Sequence, residues 1–379
     1  MILTLLFQAA IFADVKAGSK CPKLGKDSIT ANKKYTCIKS GLRLVWNKGV
    51  PMATTTNIQN QDKISNPSPS VSNKTSTTTV DAPKGNYEIA SKVFNEINNE
   101  YLRRKSSGIE PELFISPNFN KKFIDVSMVG IYKAMDFWSD VFKPDYKMPV
   151  FFVNPTDKAW FNEVFPKRID NPTFLNHFNN VYSFISTSWG SGDADSDIKT
   201  KQNFIVYVYT NDYKPNFGSS QIGAHEYTHN VQHTFNIWNN NEQFPCWAKE
   251  GQAMLFGMVL AQPTLNDYLN VRYKFYQNTP EARTDLPQNS PNWVTFFTNA
   301  EQNKMMCANG GIYEAGALAF EYLFSLKGKK GMIEFLQSLE AEEDFDIVLL
   351  KVFGQKKIDL YRNFGNYIES QLIELRKNN

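Results

Sequence analysis

Three of the four histidines in this 379-residue chain fall within nine positions: His225, His229 and His233, in the segment GAHEYTHNVQHTF. His225-Glu226-Tyr227-Thr228-His229 is an H-E-x-x-H pattern. On an α-helix, residues four apart are separated by about 400° of rotation and about 6 Å of rise, so both imidazoles leave one face. Two ring nitrogens so placed can reach one zinc ion at about 2.0–2.1 Å. Glu226 flanks that face, where a carboxylate can take a proton from an attacking water instead of binding metal. A catalytic zinc needs a third protein ligand and an open fourth position. His233 lies about 12 Å along the helix from His225, too far for both to hold one ion. The longer metzincin spacing would need His at 235 and Gly at 232, where this chain has Phe235 and Gln232. His233 is therefore expected to support or rim the site. Glu250, in CWAKEGQA, follows His229 by 21 positions, room for a turn and a second helix packing back on the first. Gly251 and Ala253 would allow close approach of those two helices. Read alone, Glu250 is also compatible with an exposed acid at a helix start. Two histidines and one carboxylate suit non-haem iron as well as zinc; the adjacent Glu226 and the signs of export favour zinc.

These residues need a scaffold. Apolar residues at helix spacing predict helices over 87–103 (Ile89, Val93, Phe94, Ile97, Tyr101) and 123–142. Strands are expected at Met148–Val153, MPVFFV, and over 203–210, NFIVYVYT. The second alternates, with Phe204, Val206 and Val208 on one face and Ile205, Tyr207 and Tyr209 on the other. An active-site helix over 222–236 follows, anchored by Ile222, Val231 and Phe235, then a helical lobe over 247–379. A mixed sheet first and helices afterwards make an α+β arrangement. The strand at 203–210, just ahead of the histidine helix, is a candidate to pair with an extended substrate backbone.

The rest of the chain divides by composition. Met1–Ala17, MILTLLFQAAIFADVKA, reads as a secretory leader, although no Lys or Arg precedes its apolar run. Residues 18–50 form a small module whose Cys21 and Cys37 are expected to pair, an oxidised arrangement suited to export. Residues 51–85 are rich in Ser, Thr, Asn and Pro with few large apolar side chains, as in a flexible linker. The large domain spans 86–379. Cys246 and Cys307 are candidates for a second disulfide. The chain carries 41 basic and 38 acidic residues, so its net charge of +3 implies no field of one sign and no nucleic-acid or anionic-membrane partner.

HEYTH followed by WAKEGQA resembles the gluzincin zinc metallopeptidases, in particular the peptidase-MA-like group. Gly311-Ile312-Tyr313-Glu314-Ala315-Gly316-Ala317-Leu318 is similar to that group's Tyr-x-x-Gly-x-Leu helix. GKKGMIEFLQSL (328–339) resembles the helix after it, and 344–372, with a break at Phe353-Gly354, its terminal helices. The resemblance covers about 200–375 and implies a zincin-like α+β fold. It further implies one catalytic Zn2+ on His225, His229 and Glu250, Glu226 as general base, Tyr313 donating its hydroxyl to the tetrahedral oxyanion, and a secreted or cell-surface enzyme acting on a peptide or protein. No carboxylate partner for His225 or His229 is identifiable, and 86–200 matches no family pattern. The competing expectation is a surface- or wall-binding protein, attached through 18–50, with an idle metallopeptidase fold. A third, that 18–50 is a propeptide, has no direct sign in the sequence.

Overall fold

The computed structural model describes residues 16–21, 27–30, 33–40, 43–48, 50–51, 87–104, 110–181, 190–210, 219–235, 237, 243–278, 290–302, 311–341 and 344–377. Residues 1–15 of the expected leader, nearly all of the 51–85 stretch and Cys307 lie outside them. The chain divides into two compact units, Met1–Thr77 and Thr78–Asn379.

The first unit is a small antiparallel sheet of β1 (Asp27–Thr30), β2 (Lys33–Ser40), β3 (Arg43–Trp46) and β4 (Val50–Pro51). Cys37 sits opposite Trp46 in the β2–β3 register. The expected disulfide joins Cys21 to Cys37. With Trp46, and with Tyr35 and Leu44 packed alongside, that bond is the core of the module. So few apolar residues give a marginal core, and the cross-link restricts the unfolded chain instead, by about 2–4 kcal/mol.

The second unit is built around a four-stranded mixed sheet in the order β5 (Glu112–Ile115), β6 (Pro149–Val153), β8 (Asn203–Tyr209), β7 (Gly190–Ser196). The first three strands are parallel and β7 is antiparallel. β6 and β8 are buried throughout because helices cover both faces, as a near-continuous apolar run requires. The alternation expected in β8 holds: Ile205, Tyr207 and Tyr209 enter the large core, Phe204, Val206 and Val208 a smaller one. α3 (Lys158–Arg168) and α4 (Pro172–Val181) fill the smaller core with Phe161, Phe165, Phe174 and Phe178.

The large core is covered by helices. α1 (Glu88–Arg103) buries Ala90, Val93, Phe94 and Ile97, an i, i+3, i+4, i+7 set, as its spacing predicts. α2 (Lys122–Trp138), α5 (Ser219–His233) and α6 (Cys246–Ala261) follow. The helical lobe adds α7 (Leu265–Asn278), α8 (Ser290–Glu301), α9 (Ile312–Glu340), α10 (Phe345–Phe353) and α11 (Lys357–Lys377). The segment 328–339, expected as a separate helix, follows a break at Gly328, whose φ of 59° and ψ of −161° are non-helical, so α9 is two helices joined at that kink. Gly354, with φ of 72°, ends α10 in the left-handed conformation that glycine adopts without strain. Among the described residues, no helix is long and apolar enough to cross a membrane.

Two expectations require correction. The strand at 203–210 is not free to take a substrate, because β6 and β7 flank it on both sides. Among the described residues the outer strand on that side is β7, whose sequence GSGDADS has no apolar alternation by which to read it as a strand. Gly251, expected to face α5, faces α9 instead: a Cβ there would lie 2.3 Å from the backbone of Gly316. The close approach of α6 to α5 occurs at Gly257, beside Gln221 and His225.

Candidate metal centre

α5 is held on three sides by contacts with little or no side chain between them. Gly223 lies against the backbone of Ser127, and Gly130 against Ser220 and Ala224, so α2 and α5 cross closely. Gly257 brings in α6, and Gly192 of β7 lies against Glu226. α5 is consequently buried along most of its length, which shields His225 and His229 from water.

The structure brings together His225, His229 and Glu250. His225 Nε2 and His229 Nε2 are 2.9 Å apart, and Glu250 Oε2 lies 3.3 Å from each. All three residues are buried, and they form the group of potential metal ligands among the described residues. Fit to an ion is judged from the donor set. Nitrogens 2.9 Å apart and each about 2.05 Å from an ion subtend about 90° there; 3.3 Å separations subtend about 107°, close to tetrahedral. Glu250 Oε2 is enclosed, with His225 Nε2 and His229 Nε2 each 3.3 Å away. A buried carboxylate oxygen so placed, facing two imidazole nitrogens, fits a cation.

The outer contacts determine which way His229 presents its lone pair. His229 Nδ1 lies 2.8 Å from Gln232 Oε1. The Gln232 amide nitrogen donates to the Lys249 carbonyl at 3.0 Å and to Gln252 Oε1 at 2.8 Å, which leaves its oxygen toward the histidine. His229 Nδ1 therefore donates, which makes Nε2 the atom that would give its lone pair to a bound ion. Gln232 was missed because a carboxylate was sought; its i+3 placement from His229 was the available signal. His225 Nδ1 is buried with no hydrogen-bond partner among the described residues.

The ionisation of the cluster follows from burial and mutual charge. Burial alone would lower the His229 pKa, but the charge of Glu250 and a hydrogen bond to it raise it to about 9. His225 is lowered, by burial and by His229. Burial would raise Glu250, yet the two histidines hold it below the usual carboxylate range. Glu226 is pushed to about 8 by burial; His229 opposes this, and Asp193 and Glu250 add to it. Asp193, on β7, is also raised to about 7, chiefly by burial, with His229 opposing and Glu250 and Asp195 adding. Its Oδ2 is enclosed without a partner among the described residues. Asp193 is a site neighbour that sequence reasoning did not single out, since its strand was not seen.

Tyr313, at the start of α9, stacks over His225 with ring centroids 6.2 Å apart and planes 12° from parallel. Burial, then the charge of Glu250 and a hydrogen bond to it, keep its phenol protonated, far above its ordinary value. His233 stays outside the ligand group. Its ring is hydrogen-bonded to the backbone of Ala194, joining the end of α5 to β7, and burial lowers its pKa to about 3. Cys246, at the start of α6, is disulfide-bonded, while its expected partner lies outside the described residues.

No family model matches the chain, and neither a curated protein nor a solved structure does.

Proposed function

We propose that the protein is a zinc-dependent metallopeptidase of gluzincin type. The observation that carries this reading is the convergence of His225 Nε2, His229 Nε2 and Glu250 Oε2 within 3.3 Å of one another, with Glu226 on the same helix. His225, His229 and Glu250 would hold the ion, and a fourth position is left for water or substrate. A zinc ion held there supplies Lewis acidity and brings the pKa of water toward about 7.

The chain's own residues supply the rest. Glu226 accepts a proton from the attacking water and passes it to the departing amine as the peptide C–N bond breaks. Burial first, and then the charges of Asp193 and Glu250, raise its pKa to about 8, and a bound cation would oppose that rise. The Tyr313 phenol, protonated at any working pH, donates a hydrogen bond to the oxyanion that develops on the attacked carbonyl. Gln232 orients His229. The outer edge of β7, beside Glu226, offers backbone groups for an extended peptide. The enzyme is exported in this reading, for which the leader-like start and the Cys21–Cys37 bond argue.

The test is metal analysis of purified protein coupled to peptide-library cleavage. One zinc per chain is expected, with activity lost on chelation and restored by zinc. Glu226→Gln is expected to keep the ion and lose at least about a hundredfold in rate, and Glu250→Ala to lose the ion. Stoichiometric zinc with no cleavage of any peptide would overturn the enzymatic reading. Absence of any bound metal would overturn the site.

A further inference from the structure

The near-even charge of the whole chain conceals a segregation. Residues 16–51 contain nine Lys and Arg and a single acid, Asp27, whereas residues 86–379 contain 29 basic and 34 acidic residues. Net charge for the whole chain is therefore the wrong quantity from which to judge partners, and the expectation of no one-signed field does not hold for the module.

Six of those basic side chains, Lys16, Lys20, Lys33, Lys39, Arg43 and Lys48, are exposed. None takes part in an ion pair among the described residues. Their distribution is informative. Lys20 bridges to Val45, and Arg43 shares the parity of Val45 in β3, so both belong to the outer face of the sheet. Lys33 and Lys39 share the parity of Cys37 in β2, which belongs to the opposite, disulfide-bearing face. Lys16 and Lys48 lie outside the strands. Positive charge thus surrounds the module instead of populating one plane.

That arrangement discriminates among anionic partners. A bilayer or a rigid duplex can touch only one side of so small a sheet, and half of the charges would be spent on solvent. Single-stranded nucleic acids are gripped by stacking bases on exposed aromatic rings. Here Trp46 is buried and Tyr35 is packed against the core, so no such platform is offered. We propose that residues 16–51 form a binding module for a flexible, linear, phosphate-bearing polymer that wraps the sheet and is held by counterion release. This is independent of the peptidase reading and would deliver whatever the second unit does to a polyanionic matrix.

The test is titration of the full-length protein with long-chain inorganic polyphosphate, with anionic phospholipid vesicles and duplex DNA as parallel arms. Six contacts at about 0.7 each predict a log–log salt slope near −4, or a loss of several hundredfold between about 50 and 200 mM salt. Lys20→Glu/Arg43→Glu and Lys33→Glu/Lys39→Glu, on opposite faces, should each weaken binding more than tenfold and flatten the slope by about 1.4. Thiol titration of unfolded, unreduced variants should match wild type, and the corresponding Gln pairs should weaken binding in the same order if charge is the cause. Absence of polyphosphate binding at about 50 mM salt would overturn the proposal. So would tighter binding to vesicles or duplex, or insensitivity of one face, which would mark a planar or rigid partner. Zinc content and peptide cleavage are read separately, so neither proposal's failure imitates the other's.

Discussion

Gly192 lies so close to Glu226 that a methyl group in place of its hydrogen would come 2.7 Å from Glu226 Cγ and 3.0 Å from Oε1. The edge strand and the proposed general base are therefore in direct contact, with nothing between them. Gly192→Ala should displace the Glu226 carboxylate while leaving the ligands in place. A shift of this kind near reacting atoms costs on the order of a hundredfold in rate. The expected result is full zinc occupancy with kcat lowered that far; an unchanged kcat would show that Glu226 is not held by the strand.

Gly251 and Gly316 meet in the same manner, and both are neighbours of proposed site residues: Glu250 precedes the first, and Tyr313 lies one turn before the second. A Cβ on Gly316 would lie 2.4 Å from the Trp247 carbonyl oxygen and 2.9 Å from Gly251 Cα. Gly316→Ala should force α6 and α9 apart at a cost of about 1–3 kcal/mol. Because the separation falls on the ligand and the phenol together, zinc affinity and kcat should both fall, measured by competition with a chelator and by steady-state kinetics. Loss of stability alone would uncouple the crossing from the site.

Gln232 tests the orientation of His229. Gln232→Leu retains the volume and removes the acceptor for Nδ1–H, along with the donors to Lys249 and Gln252. Loss of such an outer partner weakens metal binding by about 10–100-fold. Gln232→Glu should keep the acceptor and most of the affinity. Equal affinity in the Leu variant would mean that the helix alone orients the ring.

How much of this was legible beforehand follows from where the signal resides. His225, Glu226 and His229 are local in sequence, and helical geometry alone places them on one face. Glu250 needed only the expectation of a second helix. Parallel strands buried on both sides announced themselves as apolar runs at 149–153 and 203–209. β7 did not, because an edge strand pressed against an active-site helix needs small residues where a strand normally shows large ones. Asp193 depends on a tertiary contact, and Gln232, although local to His229, is a polar residue that does not declare which contact it makes. Gly251 was recognised as a close-approach residue, but its direction around α6 could not be read without knowing that α9 packs there.

The polar cluster of the helical lobe separates stability from chemistry. Arg272 and Glu321 are almost wholly buried, with Arg272 Nη2 2.8 Å from Glu321 Oε2 and from Gln371 Oε1. Tyr268 and Tyr367 donate to Glu321 at 2.5 and 2.6 Å. This joins α7, α9 and α11. Removing one partner strands a buried charge, so Glu321→Ala should cost about 3–5 kcal/mol in denaturant unfolding. Zinc stoichiometry of the folded fraction should not change. A loss below about 1 kcal/mol would show that the cluster is solvated in solution.

The ion-free protein should carry a pH signature of Glu226. Its folded pKa of about 8, against an ordinary carboxylate value of 4.5, means that the folded state retains a proton which the unfolded state has released across that window. The unfolded state then binds fewer protons, so stability falls as pH rises from about 4.5 to about 8. His229, raised from 6.5 to about 9, adds a loss as pH rises between those two values. Chelated wild type should therefore melt at progressively lower temperature from pH 5 to pH 8, by an amount worth a few kcal/mol. Chelated Glu226→Gln, which has no proton to lose, should show a shallower decline. Zinc should flatten the wild-type curve, since a cation beside the carboxylate removes the reason for holding the proton. Parallel curves for wild type and Glu226→Gln would mean that water reaches Glu226 in the ion-free protein, and that the shielding assigned to the α5 and β7 contact is absent.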